Sequence, residues 1–415
     1  MAFVALNGYD VEHASNMLVY ENLFPEIQHI NGKGVIDKYT KTDDVESVTY
    51  IDVMRVLPYA PRFRQLGAVN NGKYHNAKNE GGYGNAPQST HYTIPVDLIY
   101  DEGVAITSPQ IYSNPIALKS VVLAQLVKTA GMAINVITYA KQLEGFFRNG
   151  DNFDKGLTHD VGSIVAGDIS AGEIAAAVFH YDPAATGASA SSPTSAFQAA
   201  NEEFNDGIPE IGAFVVPADE RQGFITPQLN RLMKAQYIQN ASEASARILA
   251  TGFLNPFNER EDKRIDSRTG LLGMYDGVDL FNFNKVTRDF VYVALGIAGT
   301  ADDTAEGLVA VRGLLDKVQG MIVYGAGTCR GIVGPSITAN PNVYFGGVYI
   351  LPKMKVGVEV LHGATIKLLV DGGASLASAW SAANIAAIMN TIKFTPIDGV
   401  TVKGSVAGFN DGSAS

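Results

Sequence analysis

The chain has 415 residues, 46 % of them hydrophobic and 18 % charged, with a formal net charge of −11 and a sequence pI of about 5.1. Such a length and composition support a sizeable core, in two or three domains or in one elongated two-lobed subunit. The acidic balance argues against a dedicated nucleic-acid binder, which carries a basic stripe, and the single cysteine, Cys329, excludes an intrachain disulfide.

Residues 1 to about 46 read as an arm. Short apolar clusters alternate with polar ones, Asn31-Gly32-Lys33-Gly34 and Thr40 to Asp44 are turn-like, and no basic, apolar leader marks a signal peptide. Val48 to Leu57 reads as a strand, ended by Pro58 and Pro61. The next 33 residues, Pro58 to Thr90, hold five Gly, five Asn and four basic residues (Arg62, Arg64, Lys73, Lys78) against one acid, Glu80. His91 to Asp101 then alternates, with Tyr92, Ile94, Val96, Leu98 and Tyr100 on one face. Pro95, on the other face, marks an edge strand or a bulge. The two strands and the insertion between them make a long hairpin. Composition leaves the insertion two readings: a disordered surface loop, or an extended loop that becomes ordered on a neighbouring subunit.

Asn114-Pro115 supplies an N-cap and a first-turn proline. Leu118, Val122, Leu126, Ala130, Ala133, Ile137, Ala140 and Phe147 keep helical spacing to about Arg148, and Asn149-Gly150 ends the pattern. At 1.5 Å per residue this is a spine of roughly 50 Å. Its apolar stretch, Val121 to Ala140, is interrupted by Gln125, Lys128, Asn135 and Thr138, which suits a buried or half-buried helix rather than a membrane span.

Asp151 to Thr194 is rich in Gly, Ala and Ser and reads as a flexible insertion, with a strand-like piece at Phe179 to Tyr181. Ser195 to Phe204 is a short helix, Ile211 to Pro217 a buried strand, and Thr226-Pro227 opens a helix carrying Leu229, Leu232, Met233 and Tyr237. Arg260 to Arg268 is a solvated charge run. Leu271 to Phe283 is strand-like around Tyr275-Asp276-Gly277. A helix over Ala305 to Leu315 follows Asp302 and Asp303, whose charges suit its N-terminus. Gly320 to Tyr324, Tyr344 to Leu351, Val356 to Val360 and Ile366 to Val370 are strands; Ala377 to Ile392 is a helix or a buried strand; Thr395 to Val406 is a terminal strand. No repeat of fixed period occurs.

The residues assemble no chemistry. Met321 to Tyr324 followed by GAGTCRG (Gly325 to Gly331) imitates a dinucleotide-binding turn. Such a turn must open a helix, and Ile332-Val333-Gly334-Pro335 is a poor helix start. No P-loop, H-E-x-x-H or G-x-S-x-G is present. His13, His29, His75, His91, His159, His180 and His362 are scattered without metal-ligand spacing. Cys329 has only Arg330 beside it and reads as a buried or incidental thiol. No catalytic, cofactor-binding or metal site is expected, and no cofactor.

The order of elements is arm, strand, long polar loop, edge strand, spine helix, mixed lobe and return strand. It resembles the α+β fold of the major capsid proteins of tailed bacteriophages, shared with encapsulins. PYAPRFRQLGAVNNGKYHNAKNEGGYGNAPQSTHYTIPVDLIYD is similar to that family's extended loop, or E-loop, with its flanking strands. SNPIALKSVVLAQLVKTAGMAINVITYAKQLEGFF resembles the spine helix of the peripheral, or P, domain. FNDGIPEIGAFVVPADERQGFITPQLNRLM resembles a strand–Pro–helix unit of the axial, or A, domain, a mixed α/β lobe. RTGLLGMYDGVDLFNFNKV resembles the hairpin that follows it, and FTPIDGVTVKGSVAGF the closing P-domain strand.

The resemblance implies an N-terminal arm at 1–46, a P-domain strand at 47–57 and the E-loop at 58–90. The P-domain edge strand and spine helix take 91–150, an insertion 151–194, the A domain 195–390, and the return strand and tail 391–415. It implies a homo-oligomer of hexamers and pentamers that closes an icosahedral or prolate head around double-stranded DNA. Portal, scaffold and decoration proteins would be partners, packaged DNA would be touched weakly and non-specifically, and no membrane is involved. The protein would reside in the virion capsid after assembly in the host cytoplasm. Arg62, Arg64, Lys73, Tyr74, Lys78, Glu80 and Tyr83 are the expected inter-subunit contacts. Two other readings stay open: an encapsulin-type nanocompartment shell, and a nucleotide-binding enzyme using Gly325 to Gly331.

Overall fold

The computed structural model describes residues 40–43, 50–56, 89–96, 98–100, 104–106, 133–147, 171–185, 189–208, 211, 213–241, 271–297, 306–340, 348–372 and 380–395. In chain order these residues form β1 (Thr40–Asp43), β2 (Tyr50–Val56), β3 (Ser89–Pro95), β4 (Leu98–Tyr100) and β5 (Val104–Ile106), then α1 (133–147), α2 (Ala171–Ala176) and β6 (Val178–Tyr181). Next come α3 (Pro193–Glu202), β7 (Arg221–Ile225), α4 (Pro227–Ala241), β8 (Leu271–Tyr275), β9 (Val278–Asn282), α5 (Lys285–Ala294) and α6 (Glu306–Leu315). The chain continues through β10 (Val318–Tyr324), β11 (Thr328–Asn340), β12 (Val348–Val360) and β13 (Ile366–Asp371) to α7 (Ala382–Thr391). The fold is α+β, with mixed sheets.

The order β6-β13-β10-β7-β9-β8 makes a six-stranded sheet that is buried on both faces. Alternation along β10, one of its two central strands, shows why. Met321 and Val323 point into one apolar cluster with Tyr139, Leu143 and Phe147 of α1, Val291 of α5, Leu315 of α6 and Ile388 of α7. Ile322 and Tyr324 point into a second cluster with Phe197 and Ala200 of α3 and Leu229 and Met233 of α4. A run such as VQGMIVY, apolar at both parities, is what a strand covered by helices on both sides requires. The result is a three-layer lobe.

A second sheet has the order β1-β11-β12-β4, with β5 also on β12. β11 and β12 are 13 residues each and pair antiparallel from Thr328↔Val360 to Asn340↔Tyr349. At about 3.3 Å per residue this ribbon is roughly 43 Å long. Its base joins the lobe through α1. Gln142 Nε2 donates to Thr328 Oγ1 at 3.4 Å, and a Cβ on Gly145 would lie 2.6 Å from Val360 Cβ. The third sheet is the hairpin β2–β3, antiparallel from Tyr50↔Pro95 to Val56↔Ser89, with β3 lying against β11 and β12.

Several expectations hold. The strands flanking the polar insertion do pair as a hairpin, residues 133–147 of the spine are helical, and Thr226-Pro227 starts α4. Leu271 to Phe283 folds as a hairpin about Asp276 (φ 51°) and Gly277 (φ 79°). Positive φ at both central residues is the two-residue turn that matches strand twist.

Others are corrected. The strand over His91 to Asp101 is two strands in different sheets: β3 ends at Pro95, which has no N–H for a ladder, and β4 joins β12. The insertion is shorter at its end, because Ser89 and Thr90 belong to β3. Thr40 to Asp43, expected as a turn, is a strand that β11 recruits in parallel. Ile211 to Pro217 is no strand. Ile208 and Ala213 form an isolated bridge, Phe214 and Val215 face solvent, and the buried strand is β7, which lies beside β10 at the centre of the sheet, eight residues past Ala213. Tyr344 to Leu351 and Val356 to Val360 meet in one strand, β12. The open choice at Ala377 to Ile392 resolves as the helix α7. Within 151–194, α2 and β6 are ordered elements, and β6 pairs in parallel with β13. The return strand beyond residue 395 and the spine before residue 133 lie outside the described residues.

Candidate assembly surface

One end of the lobe carries an apolar pair on a braced turn. Ser192 caps α3, its Oγ accepting from Ser195 N at 3.2 Å, and Pro193 occupies the first turn. After α3 a 3-10 turn over Glu203–Asp206 leads to Gly207 at φ 77°. A Cβ on Gly207 would lie 2.8 Å from the carbonyl oxygens of both Ala213 and Phe214, so glycine is required by conformation and by space. Ile208 N donates to Ala213 O at 2.6 Å and Ala213 N to Ile208 O at 3.0 Å. Past this bridge, Phe214 is 58 % and Val215 75 % exposed, while Ala213 and Val216 on either side are buried.

Arg221, at the start of β7 and 4 % exposed, braces this turn from beneath. Its Nη1 donates to Asn201 O and Asn201 Oδ1, each at 2.8 Å. Its Nη2 donates to Asn205 Oδ1 at 2.8 Å and to the carbonyl oxygen of Val216. Asn201 Nδ2 in turn donates to Asp276 Oδ2 at 2.9 Å, tying the β8–β9 turn into the same node. The guanidinium lies 5.5 Å from the Phe204 ring centroid. Burial pulls the Arg221 pKa down, and the Asp276 charge opposes that by favouring the cation. Glu202, Glu203, Asp206, Asp219 and Asp276 are all exposed on this end. The Lys367 ammonium reaches Glu203 at 3.9 Å. The apolar pair therefore sits in an acidic rim.

Every residue expected from sequence as a contact (Arg62, Arg64, Lys73, Tyr74, Lys78, Glu80, Tyr83) lies outside the described residues. Gly325 to Gly331 is placed, and it forms a short 3-10 turn that runs straight into β11. A dinucleotide turn needs a helix N-terminus there. The space is filled as well, since a Cβ on Gly327 would lie 2.3 Å from Thr365 Cβ. Cys329 and Arg330 are buried, at 2 % and 1 % exposure. Of the histidines, His180 sits on β6, and His362 accepts at Nδ1 from Ala364 N at 3.1 Å. Among the described residues no group of three or more His, Cys, Asp or Glu is placed to hold a metal ion, and no helix is long and apolar enough to cross a membrane. The Arg221 node was not read from sequence. Its only signal is a buried position for Arg221, which requires knowing that β7 is central.

No protein-family model matches the chain, and a search of curated proteins finds no match. Among solved structures the chain is similar to the capsid of Helicobacter pylori bacteriophage KHP30, at 10 % identity and TM-score 0.45, covering 83 % of this chain and 90 % of that one. It is similar to the capsid of cyanophage P-SCSP1u at 11 % identity and TM-score 0.42, covering 82 % and 87 %. It is also similar to the capsid of Ralstonia phage GP4 at 11 % identity and TM-score 0.42, covering 80 % and 85 %.

Proposed function

We propose that the chain is a structural subunit of a self-assembling phage head shell and has no enzymatic role. One observation carries this reading: the described chain divides between a closed lobe and backbone that extends from it. The lobe's two central strands, β10 and β7, have seven and five residues, whereas β11 and β12 have 13 each. The β2–β3 hairpin forms its own sheet on either side of residues 57–88. A lobe with two filled cores needs neither feature for its own stability. A tile that must bond to neighbours in several settings needs both, a stiff body and extensions that reach across large interfaces.

Copies of the chain would form hexamers and pentamers, with Arg62, Arg64, Lys73, Tyr74, Lys78, Glu80 and Tyr83 of the extended loop contacting neighbours. Portal, scaffold and decoration proteins would complete the head, which would assemble in the host cytoplasm. The net charge of −11 suits a wall that DNA slides along, because few phosphates would be neutralised. Electron microscopy and sedimentation of the purified chain test the reading. Hollow closed particles are expected, and a chain that stays monomeric under all assembly conditions overturns it. Deleting residues 67–85 should leave a folded, soluble subunit that no longer closes shells; shells that still close remove the loop from the contact.

A further inference from the structure

We infer that the Phe214–Val215 apex of one copy docks, head to tail, on the α4 face of another copy, an inference that rests on the shell-subunit reading. With Val309 on α6, these two are the exposed large hydrophobic side chains among the described residues. They are adjacent, and the turn that presents them is braced by Arg221 and by the tight passage at Gly207. An aromatic anchor held in place before binding loses little conformational entropy on docking, which is how small patches dominate interfaces.

Charge identifies the occupant. The apex is rimmed by exposed Glu202, Glu203, Asp206, Asp219 and Asp276. The complement is on the same chain. α4, PQLNRLMKAQYIQNA, contains Arg231 and Lys234 and no acid, and it exposes Gln228, Arg231 and Ala235 along one stripe at helical spacing. A Phe ring packed on that stripe would meet the Arg231 guanidinium, a favourable cation–π pair. The two surfaces do not adjoin along the chain. The apex leads into β7 at Arg221, and α4 starts after β7 has ended at Ile225, so the apex and the α4 stripe are two different patches of the chain. A contact between different patches is heterologous, and its repetition builds a ring where the rotation between copies closes.

The test uses the full chain, with particle yield read by sedimentation and microscopy and folding by thermal melting. Phe214→Asp with Val215→Asp should melt as wild type and give at least tenfold fewer particles. Asp206→Lys with Asp219→Lys, and separately Arg231→Glu with Lys234→Glu, should each cut the yield, and the four changes combined should restore it. Wild-type yield from the apex variant, or no recovery in the combined variant, overturns this contact and leaves the shell reading intact. A wild-type chain that never assembles overturns the shell reading, and this contact with it.

Discussion

The Arg221 guanidinium donates from one nitrogen to both the backbone and the side-chain oxygen of Asn201, each at 2.8 Å. Arg221 opens β7 and Asn201 lies in the last turn of α3, so the pair fastens the central sheet to the helix above it. The same guanidinium holds the carbonyl of Val216, directly beside the exposed Phe214–Val215 pair. One buried cation thus sets both the packing of the lobe and the position of its apolar apex.

Arg221→Met should leave the Asn201 and Val216 carbonyls buried without their donor. The expected loss is about 3 kcal/mol, the scale for breaking a buried, charge-assisted network. Urea unfolding measures it. Arg221→Lys should fall between the two, because an ammonium keeps the charge but not the planar fork. A Met variant within about 0.5 kcal/mol of wild type would remove the node from the stability of the lobe.

Gly145→Ala sets helix propensity against space. Alanine favours a helix over glycine by about 1 kcal/mol. The new methyl, however, would lie 2.6 Å from Val360 Cβ and 2.9 Å from its Cγ1, and overpacking costs about 1–3 kcal/mol. Net destabilisation is expected, since the contact is with the root of a β-branched side chain on β12. Val360→Ala in the same chain should recover part of the loss, giving a non-additive double-mutant cycle in chemical denaturation. Strict additivity would show that α1 and β12 do not meet at this point.

Gly277→Ala tests the β8–β9 turn. Gly277 has φ 79°, and a Cβ there would come 3.2 Å from Ala218 Cβ. A loss of about 1–2 kcal/mol is expected from the left-handed conformation alone. A thermal melt that does not move would contradict the turn geometry.

Acid should weaken the lobe partly through His180. Burial lowers its pKa below the ordinary 6.5, and its Nδ1 is buried without a hydrogen-bond partner. The folded state therefore takes up a proton less readily than the unfolded chain. Between the lowered folded value and 6.5 the unfolded state binds more protons, so stability falls as pH drops through that window and is unaffected above it. His180→Gln should show a smaller loss of melting temperature than wild type between about pH 7.5 and about pH 5. Equal losses in the two proteins would show that His180 does not titrate in this way.

Local rules made several elements legible. Thr226-Pro227 starts α4 because an N-cap followed by proline satisfies the orphan donors of a helix end. Tyr275-Asp276-Gly277 turns because its residues accept positive φ. The polar insertion was recognisable as a hairpin excursion because the alternating run after it needed a partner strand, and β2 supplies one. Sequence failed where a residue's environment comes from distant chain. GAGTCRG (Gly325 to Gly331) imitates a turn, yet from Thr328 it opens a 13-residue strand, since β12 supplies a full antiparallel partner. Ile211 to Pro217 looked like a core strand, yet the centre of the sheet went to RQGFI, two polar residues included. β9 and β10 flank that segment on both sides.

By itself the sequence determined the start of α4, the turn between β8 and β9, and the pairing of strands on either side of the long polar excursion. Each depends on contacts within a few residues, or on side-chain periodicity that a single strand or helix carries. Only the tertiary structure decided which strand is central, which face of α1 meets β12, and that Arg221 is buried while Phe214 and Val215 are exposed. Those outcomes depend on which strands lie side by side and on where water is excluded, and neither is a property of any local stretch of chain.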